Sequence, residues 1–489
     1  MQKPKSKVSL DSFYDAQGFH RSVCWGVTLT ANLGMLLMGY TAGVLNTIQS
    51  YISNDVYKWN SDESILYGGL MNSMLCGGGA VGAFFGGVLA KSFGRKNTMI
   101  IADVFGVIGA ACTTIASLPL LLAGRALIGI AAGINSSVVP LYVSEVNPLP
   151  IRGPTGSAIQ TAASTGTLVS LLLGFGMPQD GSSTNWWRFM LGLPALFCIV
   201  RTVLLLTVYA IEPAKFLLSK GREEEAETSL GRIYLKKYVQ EQKASIKAEI
   251  EQQSASKELK LSDLLTPRWR HRFLIGLFVA AAQQLTFVNG IVFYSTTLFL
   301  KTTHNQLTAQ ILTCVMIAFT LIANFCAGVV ISKVGRKAIL LVGAIITALL
   351  WASVTVFLKF ELETAAEFPF FGFFIVFGVT YGPVPWIFVA EVLPDVAVGM
   401  ALFLNYAVQI GVAQSFPIII NSLPISGFLI PAAIALVIFL VVLGFMRETK
   451  DKTPHEIADI YYSSGIERDQ LAQTLIVSNK ITEKSDSYA

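Results

Sequence analysis

The feature of this chain that most constrains its fold is a ten-residue sequence that occurs twice, once in each half. Residues 87–96 (GVLAKSFGRK) are echoed by residues 328–337 (GVVISKVGRK), and in both places a long apolar segment precedes the motif and another follows it. A second pair follows in register, since residues 139–148 and 384–394 both place Val-Pro ahead of Glu-Val. Self-similarity at about half the chain length, inside membrane-spanning sequence, is typical of transporters built from two related bundles.

Composition argues against a soluble globular domain. The chain has 489 residues, of which 53% are apolar and 14% charged, and its mean hydropathy is +0.58. Apolar stretches of ~20 residues suffice to cross a bilayer as helices, and no strand-like alternation favours a closed barrel. We therefore predict an all-α membrane protein with about twelve transmembrane helices in two six-helix bundles. The predicted spans are residues 22–48, 66–90, 98–117, 120–144, 156–176, 188–210, 272–299, 308–332, 338–358, 368–391, 398–420 and 424–446.

The placement of charge predicts how the chain lies in the membrane. The net charge is +5, and the basic residues gather in loops that counting of spans puts on one side. The positive-inside rule then places both termini and the middle loop in the cytoplasm, and we expect an integral protein of the plasma membrane. Nucleic-acid binding is disfavoured because the cations lie in short turns beside the spans. The expected segments are a cytoplasmic N-terminal segment (1–21), a first bundle (22–210), a cytoplasmic linker of short helices (211–271), a second bundle (272–446) and a cytoplasmic tail (447–489).

The sequence offers no pattern for metal or covalent chemistry. All six cysteines fall within predicted spans, where they act as small apolar side chains. Four histidines are too few for a cluster, and no metal-ligand spacing occurs. We therefore expect no metal, no cofactor and no enzymatic step.

Short Gly-Arg-Lys turns link the second span to the third and the eighth to the ninth. Their Arg and Lys side chains can donate to carboxylates at other cytoplasmic helix ends. Because the pattern is duplicated, we predict ion pairs that latch the cytoplasmic side while the site opens outward and that break in the inward-open state. The predicted latch residues are Arg95, Glu145, Arg152, Glu212, Arg336 and Glu391, with Glu448 as a further acceptor.

Five motifs in order resemble those of the sugar porters of the major facilitator superfamily, the family that contains the facilitative glucose transporters. The resemblance covers roughly residues 25–460 and implies the two-bundle fold of that superfamily. The motifs are the two Gly-Arg-Lys turns, a span-four signature (GRALIG at 124–129, VPLYVSE at 139–145 and IRG at 151–153), a degraded Pro-Glu-Ser-Pro-Arg-Phe-Leu at 211–218, and Arg-Glu-Thr-Lys at 447–450.

The resemblance also implies a sugar site at mid-membrane depth. Residues 283–289 (QQLTFVN) resemble the family's span-seven Gln-Gln-Leu-Ser-Gly-Ile-Asn. Amides both donate and accept, as hydroxyls do, and an indole face stacks on the C–H face of a pyranose. Polar side chains at this depth are costly and indicate function. The implied substrate-binding residues are Gln160, Gln283, Gln284, Asn289, Trp386 and Asn405.

Gating residues follow from the same resemblance. Phe293 and Tyr294 resemble the aromatic pair that occludes the outer end of the site. Gly382, Pro383 and Pro385 interrupt the tenth span and permit a hinge beside Trp386.

One departure from the family bears on the source of energy. Proton-coupled sugar porters carry Gly-Tyr-Asp in the first span, where this chain has Thr41 after Tyr40. Arg125 cannot titrate in its place, and Asp103 is expected to pair near a helix end. We therefore predict a facilitative hexose transporter, a monomer that carries glucose or fructose by alternating access. A proton-coupled symporter, a polyol or inositol transporter and a non-transporting sugar sensor remain alternatives.

Overall fold

Backbone hydrogen bonds that cannot be made with lipid must be made within the chain, so long apolar segments fold as helices. The computed structural model describes residues 18–178, 182–255, 261–450, 452, 456, 457, 460 and 461. Within these residues, regular structure is helical apart from one isolated bridge between Phe19 and Tyr234. The predicted N-terminal segment and tail lie largely outside the described residues.

The helices follow the predicted order of spans. In the first half, α1 spans Arg21–Tyr51, α2 Ser61–Phe93, α3 Arg95–Thr113, α4 Leu118–Val146, α5 Leu149–Leu173 and α6 Trp186–Leu206. In the linker, α7 spans Ala214–Ser219, α8 Glu223–Ile233 and α9 Val239–Ala255. In the second half, α10 spans Pro267–Leu285, α11 Val288–Thr303, α12 Gln306–Lys333, α13 Arg336–Lys359, α14 Phe368–Val379, α15 Val384–Val392, α16 Asp395–Ser422 and α17 Leu429–Phe445.

Among the described residues, eleven helical segments are long and apolar enough to cross a membrane. The predicted third span corresponds to α3, a 19-residue helix whose Arg95, Lys96 and Asp103 lower its hydropathy. It packs against α4 and α6 as a member of the first bundle. The prediction of an all-α membrane protein is confirmed.

Two predicted spans are each built from two helices. α10 and α11 together form one membrane-crossing segment, and α14 and α15 form another. The first break lies at Phe287, whose φ of 66° is in the left-handed region. The second lies at residues 380–383, where Pro383 and Pro385 lack the N–H groups that would continue the helical ladder. Both breaks fall within the second half.

The two halves repeat one packing plan. In the first half α1 packs on α5, α2 on α4 and α3 on α6. Their counterparts in the second half, α10 on α16, α12 on α14 and α13 on α17, pack in the same way. Between the halves, α2 packs on α16, α5 on α12 and α1 on α11, so the interface is formed by the second and fifth spans of each half together with the first span and the outer part of the seventh. The repeat in the sequence therefore corresponds to a repeat in the structure.

Glycines allow α2 and α4 to approach closely. A Cβ at Gly78 would lie 2.0 Å from the carbonyl oxygen of Ala126, and one at Gly129 would lie 2.1 Å from that of Leu75. A real Cβ atom cannot lie so close to a carbonyl oxygen. The glycines of each helix therefore make room for the backbone of the other helix. This is the small-residue packing that membrane helices use in place of the hydrophobic effect.

A buried ion pair joins three helices of the first bundle. Arg201 of α6 donates to both carboxylate oxygens of Asp103 of α3 at 2.6–3.0 Å and to Asn135 Oδ1 of α4 at 2.8 Å. Arg201 is 1% and Asp103 2% exposed. Asp103 does form an ion pair, as expected, and its partner Arg201 lies five residues before the end of α6. Ion pairs between helices depend on how each helix is rotated about its axis. The sequence pattern does not specify that rotation.

We expect the D103N variant to be strongly destabilised, because it leaves the guanidinium of Arg201 buried without a counter-charge. Removing one partner of a buried ion pair costs about 3–5 kcal/mol. The measurement is thermal unfolding of the purified protein in detergent. The matched control is E225Q, which breaks the exposed Arg222–Glu225 pair and should not change the unfolding temperature. Equal unfolding temperatures for the two variants would contradict the prediction.

Candidate functional site

The predicted substrate-binding amides of the second half form one hydrogen-bonded chain. Asn289 Nδ2 donates to Gln284 Oε1 at 2.6 Å, and Gln284 Nε2 donates to Asn405 Oδ1 at 3.1 Å. Asn405 Nδ2 donates to Gln283 Oε1 at 3.0 Å, and Gln283 Nε2 donates to the carbonyl oxygen of Gly382 at 3.0 Å. The chain joins α10, α11, α16 and the break before α15. These amides are directed into the protein and not towards lipid.

The hydrogen bonds leave some amide capacity for a ligand. Asn405 Nδ2 uses both of its N–H groups, since it also donates to the carbonyl oxygen of Ala280 at 2.7 Å. Gln283 and Gln284 each donate once from a group that has two N–H donors. Asn289 keeps one N–H and its carbonyl oxygen and is only partly buried. Asn405 therefore orients the two glutamines, while the unused donors belong to Gln283, Gln284 and Asn289.

Gln160 and Trp386 lie where the two halves meet. Gln160 precedes Ser164 by one turn of α5, and Ser164 Oγ accepts from Asn324 Nδ2 of α12 at 2.9 Å. Residues four apart share a helix face, so Gln160 lies on the face of α5 that meets the second half. Trp386 packs with a cluster formed by α2 and α16, which includes Ala80 and Tyr406. Both side chains are partly buried.

The helix break at Gly382, Pro383 and Pro385 exposes backbone to the amide chain. Pro383 and Pro385 cannot donate, so the helical ladder is interrupted around this segment. Gly382 N–H bonds to the carbonyl oxygen of Phe377 at 2.8 Å, and its own carbonyl accepts from Gln283. The predicted hinge is thus hydrogen-bonded directly to Gln283, a predicted substrate-binding residue.

The break at Phe287 explains the glycine that the family motif has at this position. A positive φ is costly for a bulky residue, about 1–3 kcal/mol, whereas glycine adopts it freely. Phe287 is buried, and its ring lies 6.2 Å from that of Phe416. Burial of the ring offsets the conformational cost.

The predicted outer gate is buried and joins the two halves. Phe293 and Tyr294 are 1% and 6% exposed. The hydroxyl of Tyr294 accepts from Asn72 Nδ2 of α2 at 3.4 Å and donates to the carbonyl oxygen of Ala413 at 3.3 Å. Tyr294 therefore touches the first half while it is held by the second.

Asn46 is a gate residue that sequence reasoning missed. Its Nδ2 donates to the carbonyl oxygen of Val292 and to Ser295 Oγ, both at 2.7 Å, and its Oδ1 accepts from Thr296 N at 3.0 Å. These bonds join the outer part of α1 to α11. The rule that marks an asparagine within a span as functional could have found it.

Most described side-chain hydrogen bonds between the halves lie near the middle of the helices or towards the ends that are predicted to be outer. Besides those of Asn46 and Asn72, Ser73 bonds to Gln414, Asn324 to Ser164 and the hydroxyl of Tyr406 to Met38 Sδ. These bonds hold the two halves together towards the side that is predicted to be outer.

The repeated turns build the same arrangement twice, at helix ends that are predicted to be cytoplasmic. Arg95 Nε lies 2.7 Å from Glu145 Oε2, and its Nη2 lies 2.8 Å from Glu145 Oε1. Arg336 Nη2 lies 2.7 Å from Glu391 Oε1. Glu391 Oε2 also accepts from the hydroxyl of Thr449 at 2.6 Å.

A second glutamate caps the helix that follows each turn. Glu212 accepts from the backbone N–H groups of Arg95 and Lys96, and Glu448 accepts from those of Arg336 and Lys337 at 2.8 and 3.0 Å. Negative charge is favourable at a helix N-terminus. Burial raises the pKa of Glu212, and the backbone donors and the nearby cations partly offset that rise.

The latch residues do not connect the two halves. Each ion pair joins elements of one half, and both are intact in the described structure. The expectation that they break in the inward-open state stays a prediction. Arg152 is exposed, donates to the carbonyl oxygen of Asn147 at 2.9 Å and forms no ion pair among the described residues. The latch role of all six predicted residues stays a prediction.

A family model described as "Sugar (and other) transporter" matches residues 27–461. The chain belongs to the sugar porter family of the major facilitator superfamily. It is similar to Hexose transporter 1 of Plasmodium yoelii yoelii, with 30% identity over 459 residues that cover 86% of this chain and 89% of the relative. It is also similar to the major myo-inositol transporter IolT of Bacillus subtilis (strain 168), with 28% identity over 486 residues that cover 94% of this chain and 99% of the relative.

The same fold occurs in a solved transporter. A partially occluded inward-open conformation of the xylose transporter XylE from E. coli matches with a TM-score of 0.76 at 22% identity, covering 88% of this chain and 100% of that one. Another structure describes XylE as a proton:xylose symporter. The predicted family and two-bundle fold are confirmed, and this sugar porter is a transporter and not an enzyme.

We expect the N46A variant to open the outer gate. It removes three hydrogen bonds between the halves, each contributing ~1 kcal/mol, so the outward-open fraction should rise about tenfold or more. The measurement is the rate at which an impermeant maleimide, added outside, labels V292C in a chain that also carries C326S. Asn46 bonds to the backbone carbonyl group of Val292, so the V292C substitution leaves this hydrogen bond in place.

The matched control for this experiment is N421A. Asn421 also lies near the outer end of its helix, but it bonds to Lys301 and Pro417 of its own half. Its loss should leave labelling unchanged. A labelling rate in N46A equal to that in N421A would show that Asn46 does not hold the gate.

Proposed function

We propose that this protein is a facilitative hexose transporter of the plasma membrane, working as a monomer by alternating access, with both termini in the cytoplasm. The observation that carries the proposal is the amide chain of α10, α11 and α16, which has unused donors and an unused carbonyl beside the interface between the halves. The identity of the sugar, the uniport mode and the membrane in which the protein resides are proposed. Transport of sugars across a membrane follows from membership of the family.

The chemistry of the chain suits a hexose. Each sugar hydroxyl donates and accepts, and so does each carboxamide. Gln283, Gln284 and Asn289 offer such groups from one half, and Gln160 offers another from the first half. Trp386 adds an aromatic surface for the C–H face of the ring. A charged substrate would lack a counter-charge here, because the side chains predicted to bind the substrate are all neutral.

The placement of buried charge favours a uniporter. The guanidinium of Arg125 bonds to the carbonyl oxygens of Thr41 and Met71 and to Asn72 Oδ1. No carboxylate contacts it among the described residues. The buried carboxylate of Asp103 in the same bundle is held by Arg201. A group that could carry a proton through the transport cycle is therefore missing at the position where proton-coupled relatives of the family have one.

Two other substrates and modes have specific support. IolT, which aligns with nearly the whole chain, is described as a myo-inositol transporter, and a polyol presents the same hydroxyls to the amides. XylE is described as a proton:xylose symporter, although this chain lacks the first-span carboxylate. Competition of labelled glucose uptake by fructose, xylose and myo-inositol distinguishes the substrates.

We expect Q283A to lower glucose uptake into proteoliposomes at least about tenfold, a loss of ~1.4 kcal/mol in binding free energy. The variant loses a donor to the sugar and also releases Asn405 and the carbonyl group of Gly382. The matched control is Q310A, which truncates a buried glutamine of α12 outside the amide chain. Thermal unfolding of both variants checks that they are folded. Undiminished uptake by folded Q283A would remove Gln283 from the site.

A further inference from the structure

The first half buries a charge beside the outer gate of the second. Arg125 of α4 is fully buried. Its shortest hydrogen bond, 2.9 Å, goes to the carbonyl oxygen of Thr41, and the bond to the carbonyl oxygen of Met71 measures 3.3 Å. The side-chain acceptor for this cation is Asn72, whose Oδ1 lies 3.4 Å from Nη2. A buried cation without a carboxylate depends on such dipoles for its stability.

The amide of Asn72 faces the buried cation with its oxygen and the gate with its nitrogen. Asn72 is fully buried in α2. Its Nδ2 donates to the hydroxyl of Tyr294 at 3.4 Å, and that hydroxyl donates to the carbonyl oxygen of Ala413. All donors point the same way, from Arg125 through Asn72 and Tyr294 to α16. Hydrogen bonds in such a series polarise one another in a low-dielectric interior.

We propose that Asn72 is a positioning residue for the outer gate. Its carboxamide uses the buried charge of Arg125 to hold Tyr294 in the closed state. The guanidinium polarises the carboxamide, and the carboxamide donates to the gate tyrosine across the interface. When the outer side opens, Tyr294 leaves and the amide must find water. The closed state is thereby favoured without any contact between Asn72 and the sugar.

The geometry distinguishes this contact from the other links between the halves. Asn46 bonds to backbone and hydroxyl groups of α11 at 2.7–3.0 Å, with no charge behind it. The bonds from Arg125 to Asn72 and from Asn72 to Tyr294 are long, at 3.4 Å each. Bonds of this length are weak, so the loss of Asn72 should change the population of the closed state only several-fold.

The test is labelling of the V292C reporter from outside, and it needs no sugar. The inference rests on the alternating closure in the proposed function, but a protein that carries another substrate would give the same labelling result. We expect N72L, which has neither donor nor acceptor, to be labelled several-fold faster than the parent. N72S serves as a second variant should N72L fail to fold. N72D keeps an acceptor for Arg125 and offers a new one to the hydroxyl of Tyr294, whose proton then turns from Ala413 to the carboxylate, so it should restore most of the slow labelling.

A double-mutant cycle separates positioning from a general loss of packing. In a Y294F background the hydroxyl is absent, so N72L should change the labelling rate by much less than it does beside Tyr294. The matched control is N324L, which removes another amide between the halves and should act additively with Y294F. Equal effects of N72L in both backgrounds, or slow labelling of N72L and N72S alike, would overturn the proposal.

Discussion

The site depends on one constraint, which is that a carboxamide within the membrane must find partners for its donors and its acceptor. In the second half, Gln283, Gln284, Asn289 and Asn405 meet this constraint largely through one another. The arrangement holds the side chains in place before a ligand arrives, so less conformational entropy is lost on binding. It also leaves a few donors unused, and these define what the site can recognise. A neutral molecule with many hydroxyl groups fits them best.

The fold places two helix breaks, at which the backbone can bend, beside the hydrogen-bonded amides. The break at Phe287 separates Gln283 and Gln284 of α10 from Asn289 of α11, and the break at Gly382 accepts from Gln283, so a shift at either break also moves a predicted binding residue. The first bundle, in contrast, is fixed internally by the buried Asp103–Arg201 pair and by close glycine packing of α2 on α4. The described structure thus has both of these helix breaks, the predicted hinges, in the second half. The predicted gate side chains Phe293 and Tyr294 also come from the second half.

The sequence predicts much of this structure, because hydrophobic length and an internal repeat depend on local information. The helical class, the duplicated Gly-Arg-Lys turns and the placement of Glu145 and Glu391 near Arg95 and Arg336 follow from it. Contacts between distant helices do not. The partner of Asp103, the gate role of Asn46 and the use of both Asn405 donors inside the protein depend on how helices rotate and pack, which no short motif encodes. The left-handed conformation at Phe287 was also hidden, since phenylalanine rarely adopts it.

The central claim is that a neutral hexose site opens alternately to the two sides and draws on the sugar gradient alone. Counterflow tests it most directly. Proteoliposomes that contain the purified protein are loaded with unlabelled glucose and diluted into a trace of labelled glucose, with and without a protonophore. The account predicts that label accumulates transiently above its external concentration, to the same extent in both conditions. Failure of the folded protein to produce this overshoot, or an overshoot that requires an imposed proton gradient, would contradict it.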